Sequence, residues 1–327
     1  MSESMNPKAR SIHPQTSCRR TRSLWVGTAM MMLWSPARLH PQFTDPRYYD
    51  NTPVNVSQLE VVYGYARSNT SLDTSVIVAN DAELNLNFGV IEYSRYFSFL
   101  HHVAWLQPGV PFGDLRGSLS GTQIRGSTAG TGDSSYQAGI LLKGGKALSV
   151  AQFATYHPAT TVGTSLTFTA PTGQYDADKI LNLGSNRWSF KPEFAVAFPF
   201  GPQKKWELDT YANAYFYTEN ASYHGAESFQ QKPLSGVEGH ISYSFRSSAW
   251  ASLDTRYSFG GDTFVNGVDQ KNAQENFTLG SEVNLSLNSR NIIVFEFGKL
   301  IVHHNGPTYG GFGVKYFYSW GKGYAAQ

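Results

Sequence analysis

Val237-Glu238-Gly239-His240-Ile241-Ser242-Tyr243-Ser244-Phe245 places apolar or small residues at every odd position and polar ones at every even position. A period of two is the spacing at which side chains alternate between the faces of a β-strand. One face of this segment is greasy and the other wet. Residues 249–259 repeat the pattern, with Ala251, Leu253, Tyr257 and Phe259 opposed to Ser252, Asp254, Arg256 and Ser258. In residues 277–287, Phe277, Leu279, Val283 and Leu285 oppose Thr278, Glu282, Asn284 and Ser286. A final segment aligns Phe312, Val314, Tyr316, Tyr318 and Trp320 on one side, as suits a strand facing lipid.

Residues 188–198, 206–217 and 292–302, with less regular segments near 59, 84, 101, 137 and 162, bring the total to about twelve strands. Apolar residues at helical spacing occur over no comparable length, which disfavours an α/β fold with a parallel sheet. The links alternate in length. Those at 199–205, 246–248 and 288–291 are short, whereas 171–187, 218–236 and 260–276 are long. Trp188, Trp206, Phe216, Tyr217, Phe259, Tyr309 and Trp320 fall at strand ends, where aromatic girdles at two membrane interfaces would lie. The fold class expected is therefore all-β, a transmembrane antiparallel up-and-down β-barrel of about twelve strands. Its long loops would be extracellular and its short turns periplasmic, with both termini on the periplasmic side of a bacterial outer membrane. Pro192 lacks a backbone donor and marks a bulge or a ladder interruption in its strand.

Composition agrees with a chain that faces something other than water. Charged residues are 15% and aromatics 14%, with 19 Tyr, 21 Phe and 7 Trp, against about a quarter charged in an ordinary soluble domain. A net charge of +2, with no basic stripe interleaved with aromatics, argues against nucleic acid as a partner. Near the start, Arg19, Arg20 and Arg22 precede the apolar stretch 24–34, and Ser35 and Ala37 follow it. This order is that of a signal peptide, assigned to residues 1–37. Residues 38–57 contain Pro41, Pro46 and Pro53 and lack alternation, so they read as a periplasmic extension or a plug inserted from below. The barrel occupies 58–327. Cys18 is the only cysteine and precedes the apolar stretch, so the mature chain would have no thiol chemistry.

Pro171-Thr172-Gly173-Gln174-Tyr175-Asp176, followed by Asn182-Leu183-Gly184-Ser185-Asn186-Arg187-Trp188-Ser189-Phe190-Lys191-Pro192-Glu193, resembles the signature of the outer-membrane family named for the meta-pathway of phenol degradation. Gly130-Thr131-Gly132-Asp133 and Gly260-Gly261-Asp262 with Asn266-Gly267 extend the resemblance over most of the mature chain. It implies an outer-membrane barrel that acts as a transporter for hydrophobic or aromatic compounds. The residues themselves describe a loop with tight turns at Gly173 and Gly184, in which Asn182 and Asn186 bond locally to backbone. An inward fold of this loop would bring Tyr175 or Arg187 to a solute.

If the apolar faces meet lipid, Lys191, Glu193, Glu207, Asp209, Asn213, Glu238, His240, Asp254, Arg256, Glu282 and Glu296 point into the lumen. They would line a pore or pair with one another across the wall. The expected function is passive uptake of small solutes, with outer-membrane lipid and the outer-membrane assembly machinery as partners. A structural or adhesive barrel is the alternative, with the Gly/Ser/Thr-rich stretch 116–135 as a mobile loop for surface binding or gating. An outer-membrane hydrolase fits less well. His157, His224, His240, His303 and His304 have none of the spacings of a nucleophile elbow or a zinc helix. No catalytic residue, metal or cofactor is expected.

Overall fold

The computed structural model describes residues 44–73, 82–120, 122–123 and 125–324. The signal peptide assigned to 1–37 lies outside them, as do the first residues of the 38–57 segment. Twelve strands form the wall: β1 (Val56–Ser68), β2 (Ala82–Phe99), β3 (His102–Leu119), β4 in two halves (Arg125–Thr131 and Ser134–Lys143), β5 (Thr161–Ala170) and β6 (Ser189–Phe200). They continue with β7 (Trp206–Tyr217), β8 (Leu234–Arg246), β9 (Ala249–Gly260), β10 (Gln274–Ser286), β11 (Asn291–His304) and β12 (Tyr309–Gly321). Every neighbouring pair is antiparallel, and β1 pairs with both β2 and β12, from Val56 opposite Gly321 to Ser68 opposite Tyr309. The sheet therefore closes and has no free edge, which is what a membrane interior demands of a β structure.

The alternation of β8 is realised as expected. Val237, Ile241 and Phe245 are 51%, 39% and 60% exposed, while Glu238, His240 and Ser242 are buried. Leu253, Tyr257, Phe194, Phe198, Phe312 and Tyr316 continue the exposed apolar belt around the wall. Such a belt would be costly in water and is stable against hydrocarbon. Among the described residues no helix is long and apolar enough to cross a membrane.

The structure corrects several local expectations. The stretch 116–135 is mostly strand: Ser118 to Phe112 of β3 pair with Arg125 to Thr131 of β4. Backbone ladders form without side-chain alternation, so the pattern that locates buried strands was silent there. The segment expected near 101 is β3 itself, which begins at His102 after a tight turn in which Leu100 and His101 have φ of 50° and 67°. The strand expected over 292–302 runs on through His303 and His304, which lie opposite Asn276 and Glu275. Tyr309 is buried and its hydroxyl meets Thr278, and the Tyr217 ring lies beneath Arg187, so neither joins a girdle. At Pro192 the ladder to β5 continues, while the ladder to β7 jumps from Phe190–Phe216 to Glu193–Asn213 without a change of register. The proline thus interrupts one ladder and makes no bulge.

Candidate functional site

The irregular segment ahead of β1 enters the lumen from the short-turn end. Its Tyr-Tyr pair and backbone donors find partners on wall strands far away in sequence. The Thr44 N–H donates to Glu238 Oε2 at 2.9 Å, and its hydroxyl donates to Glu193 Oε2 at 2.8 Å. Arg47, in a left-handed turn at φ 62°, donates its N–H to Asp209 Oδ2 at 3.0 Å and its guanidinium to Ser242 and Ser244. Tyr49 is fully buried, with its ring 5.6 Å from Trp105 and 5.3 Å from Tyr211, and its hydroxyl donates to Glu193 Oε1 at 2.9 Å. The Tyr48 hydroxyl meets Gln107 and Gln137. Residues 44–50 therefore fill one end of the lumen. Aromatic contacts of this kind add about 0.5–1.5 kcal/mol each beyond the area they bury.

Around this segment several wall charges meet an opposite charge, which is how buried charges are tolerated. Lys315 of β12 places Nζ 2.5 Å from Asp45 Oδ1, 3.3 Å from Glu282 Oε1 and 2.9 Å from Glu296 Oε2. Those three acids bring one oxygen each within 4.8 Å of one another, and the lysine ammonium occupies the position a metal ion would need. Arg256 pairs with Glu238, directly opposite it in the ladder, and reaches Asn213. His240 holds Asp254 Oδ1 at 2.9 Å, and Lys191 holds Glu193 Oε2 at 3.2 Å. Above the segment lies a chamber of about 330 Å³, bounded by Asp45, Tyr48 and wall residues of both characters.

On β1 and β2 the chamber is lined by Val62, Phe88 and Val90 together with the carboxyls of Glu60 and Glu92, β3 adds Gln107, and β8 to β12 contribute His240, Asp254, Glu282, Glu296 and Lys315 beside Phe297. On β2 the inward residues Leu84, Leu86, Phe88 and Val90 run down from the long-loop end, beside Val62 and Ala66 of β1 and Leu115 of β3. Their outward neighbours Glu83, Asn85 and Asn87 are exposed. Leu181 and Leu183 of the loop after β5 pack on this apolar stripe and close it from above. A second cavity of about 300 Å³, lined by Ile180, Leu181, Leu84 and Ala82, opens beside them. Val62, Phe88 and Val90 belong both to the stripe and to the chamber lining, so the apolar surface connects the two cavities.

Asp133, between the two halves of β4, holds that loop in place. It accepts from Gly173 N–H at 2.8 Å, Ser185 N–H at 2.7 Å and the Ser185 hydroxyl at 2.6 Å. Burial pushes its carboxyl above the ordinary range, against the pull of those donors. A Cβ on Gly173 would stand 2.6 Å from the carbonyl carbon of Gly132, so the approach requires glycine. Arg187 is buried, with Nη2 2.9 Å from Asp73 Oδ2 and its guanidinium 4.1 Å above the Tyr217 ring.

The family model described as "Putative MetA-pathway of phenol degradation" matches residues 66–317. The chain belongs to that family. Its fold is similar to that of an outer membrane channel from Pseudomonas putida F1, at 22% identity and a TM-score of 0.73, covering 85% of this chain and 100% of that one. The transport unit of the autotransporter AIDA-I from Escherichia coli is similar at 8% identity and a TM-score of 0.50, covering 85% and 94%. The sequence matches no curated protein at a significant level. These likenesses agree with the closed twelve-stranded barrel and its outer-membrane character.

The structure divides the predicted lumen residues into two sets. Lys191, His240, Asp254, Glu282 and Glu296 line the chamber. Glu193, Glu207, Asp209, Asn213, Glu238 and Arg256 also point inward, but they are buried in the wall network or beneath residues 44–50. Of the loop motif, Asn182 bonds locally, accepting from Asp176 N–H at 2.8 Å. Asn186 does not: its Nδ2 donates to the Asn220 side chain at 2.9 Å. The Tyr175 hydroxyl donates to the Ser222 carbonyl at 2.7 Å, and Trp188 is exposed on the outer wall. Sequence reasoning missed Lys315, which shares the inward face of β12, and missed the apolar stripe altogether.

Proposed function

We propose that this protein is an outer-membrane channel for passive passage of small apolar or aromatic solutes, oriented with its long loops outside and both termini in the periplasm. The observation that carries this reading is the inward-facing apolar stripe on β1–β3. The rest of the inner wall is polar or charged, Glu60 and Glu92 lower on the same strands included, and a water-filled pore would have no use for a greasy wall that links a mouth cavity to an inner chamber. Leu181 and Leu183 act as the outer gate, and residues 44–50 as the inner plug. A solute released into the chamber by the loop would meet polar groups able to orient a hydroxyl or carboxyl, as ligand sites commonly combine apolar walls with few polar groups. Transport is downhill and involves no catalysis. Flux of phenol-sized aromatics and of neutral sugars into liposomes containing the purified barrel tests this. Aromatic flux above that of sugars of equal size, reduced by Leu86→Asn, is expected; equal flux, or none for aromatics, would refute it.

A further inference from the structure

Arg67 of β1 and Lys299 of β11 both stand opposite Gly310 of β12, so three neighbouring strands bring two cations to one level of the wall. All three positions are on the outer face: Arg67 and Lys299 are exposed, and Gly310 shares its side of β12 with the exposed Phe312 and Tyr316. Adjacent strands lie about 4.8 Å apart, so the two backbones are about 10 Å from each other across a position that has no side chain. Neither cation has an ion-pair partner among the described residues. Arg67 is held in place even so: its Nε donates to the Tyr65 hydroxyl at 3.1 Å, which in turn donates to Asn85 Oδ1 at 2.7 Å. The acids on adjoining strands are engaged elsewhere, Glu83 accepting from the Ser120 hydroxyl at 2.8 Å and Glu275 from the Tyr257 hydroxyl at 2.6 Å. Arg116 of β3, at the same level beyond Asn85, gives its Nε and Nη2 to Asp114 at 2.7 and 2.8 Å.

The height of this level follows from the strand. Trp320, on the outer face at the short-turn end, and Gly310 are ten residues apart on β12. At a rise of about 3.3 Å per residue and a tilt of about 40°, they are separated by about 25 Å along the barrel axis, the height of the apolar band in an outer-membrane barrel. Below the two cations come Phe312, its ring 6.2 Å from that of Tyr65, and Phe297. Arg67 and Lys299 therefore stand where hydrocarbon gives way to lipid headgroups, and there a cation on the lipid face costs far less than at the midplane. Phosphate is the anion of that layer, and a guanidinium with a second cation beside it binds phosphate through charge-assisted hydrogen bonds. We propose that Arg67 and Lys299 clasp one phosphate of a phosphorylated glycolipid in the outer leaflet, whose acyl chains lie on Phe312, Tyr65 and Phe297. The site rests on the orientation proposed above, with the long loops outside, and not on which solute the channel admits.

Bisphosphorylated lipid A serves as the probe. The purified protein, in detergent micelles free of lipopolysaccharide and with a chelator to remove bridging metal ions, is titrated with it, and bound lipid is counted by native mass spectrometry. Saturable retention of a single lipid A per barrel is expected, with affinity reduced about tenfold in Arg67→Gln and in Lys299→Gln, as for the loss of a hydrogen bond to a charged group. Arg116→Gln should change affinity by less than about twofold, because Asp114 already meets that charge. Equal binding by the unaltered chain and both of the first two variants would overturn the proposal, as would equal binding of lipid A and its dephosphorylated form. Displacement of lipid A by excess inorganic phosphate would also overturn it, since the site would then serve a soluble anion. The orientation is read separately, by labelling Val268→Cys, at a position 64% exposed in the loop after β9, on intact cells with a membrane-impermeant maleimide. Label without lipid binding overturns the clasp alone, and absence of label overturns it together with the orientation.

Discussion

The Lys315 ammonium, on the last strand of the barrel, stands 2.5 Å from Asp45 Oδ1 on the segment that precedes the first. One cation thus joins the two ends of the folded chain and separates three carboxylates. Replacing it by an isosteric apolar side chain, Lys315→Met, leaves Asp45, Glu282 and Glu296 facing one another. Removing one partner of a buried pair costs about 3–5 kcal/mol, and the partial exposure of Asp45 places this case at the lower end. Urea unfolding should show that loss, and single-channel recording should show a larger and noisier conductance as the plug loses its tie. Unchanged conductance would mean that the plug is held without Lys315.

Tyr49 is the plug's aromatic anchor, seated against Trp105 and Tyr211. Tyr49→Ala removes the ring and its hydrogen bond to Glu193, and a buried aromatic truncated to alanine costs about 3–5 kcal/mol. Because the plug is a local unit, the barrel should stay folded while passage of small ions increases several-fold. Tyr49→Phe keeps the packing and should stay near the unaltered conductance. Equal effects of the two substitutions would assign the anchoring to the hydroxyl.

Leu183 belongs to the loop after β5 and is 1% exposed against the apolar stripe. Leu183→Ala opens a space beside Leu115 and Leu86 and should raise the flux of aromatic solutes while costing about 2–5 kcal/mol of local stability. Leu183→Asp places a charge on the same surface and should lower aromatic flux. Parallel responses to the two changes would show that the loop acts only through its rigidity.

Asp133 gives the loop a pH dependence whose sign follows from its raised folded-state pKa. A carboxyl shifted upward contributes most to closure below its unfolded pKa, and that contribution is lost as pH rises through the folded value. Protease cleavage within 171–188 should therefore quicken from acid toward neutral pH. Asp133→Asn should flatten this dependence, and it should raise the cleavage rate throughout because the Ser185 donors lose an acceptor. A rate independent of pH in the unaltered chain would contradict the assignment.

Strands β8 to β10 and β12 were legible because lipid and buried charge impose opposite demands on alternate residues, as Ile241 and His240 illustrate. On β2 the alternation is equally regular, but its sense is reversed. Leu84, Leu86 and Phe88 face inward, and Glu83, Asn85 and Asn87 face outward beyond the apolar belt. Periodicity identifies a strand and leaves open which face meets the interior. Of the site, the paired acids and bases were readable from residue type. The contacts of Thr44, Arg47 and Tyr49 were not, since their partners lie more than a hundred residues away and the segment has no period.

The plug runs without a break into β1, where the Asn55 N–H donates to the Tyr96 carbonyl at 2.9 Å and Val56 begins the ladder. It is therefore a tethered ligand of its own barrel. A tether this short holds a displaced end at an effective concentration on the order of millimolar, so reclosure would be a first-order event, independent of how many copies the membrane holds. An opening stimulus then has only to outcompete a neighbour that never diffuses away, and each barrel would set its own open time.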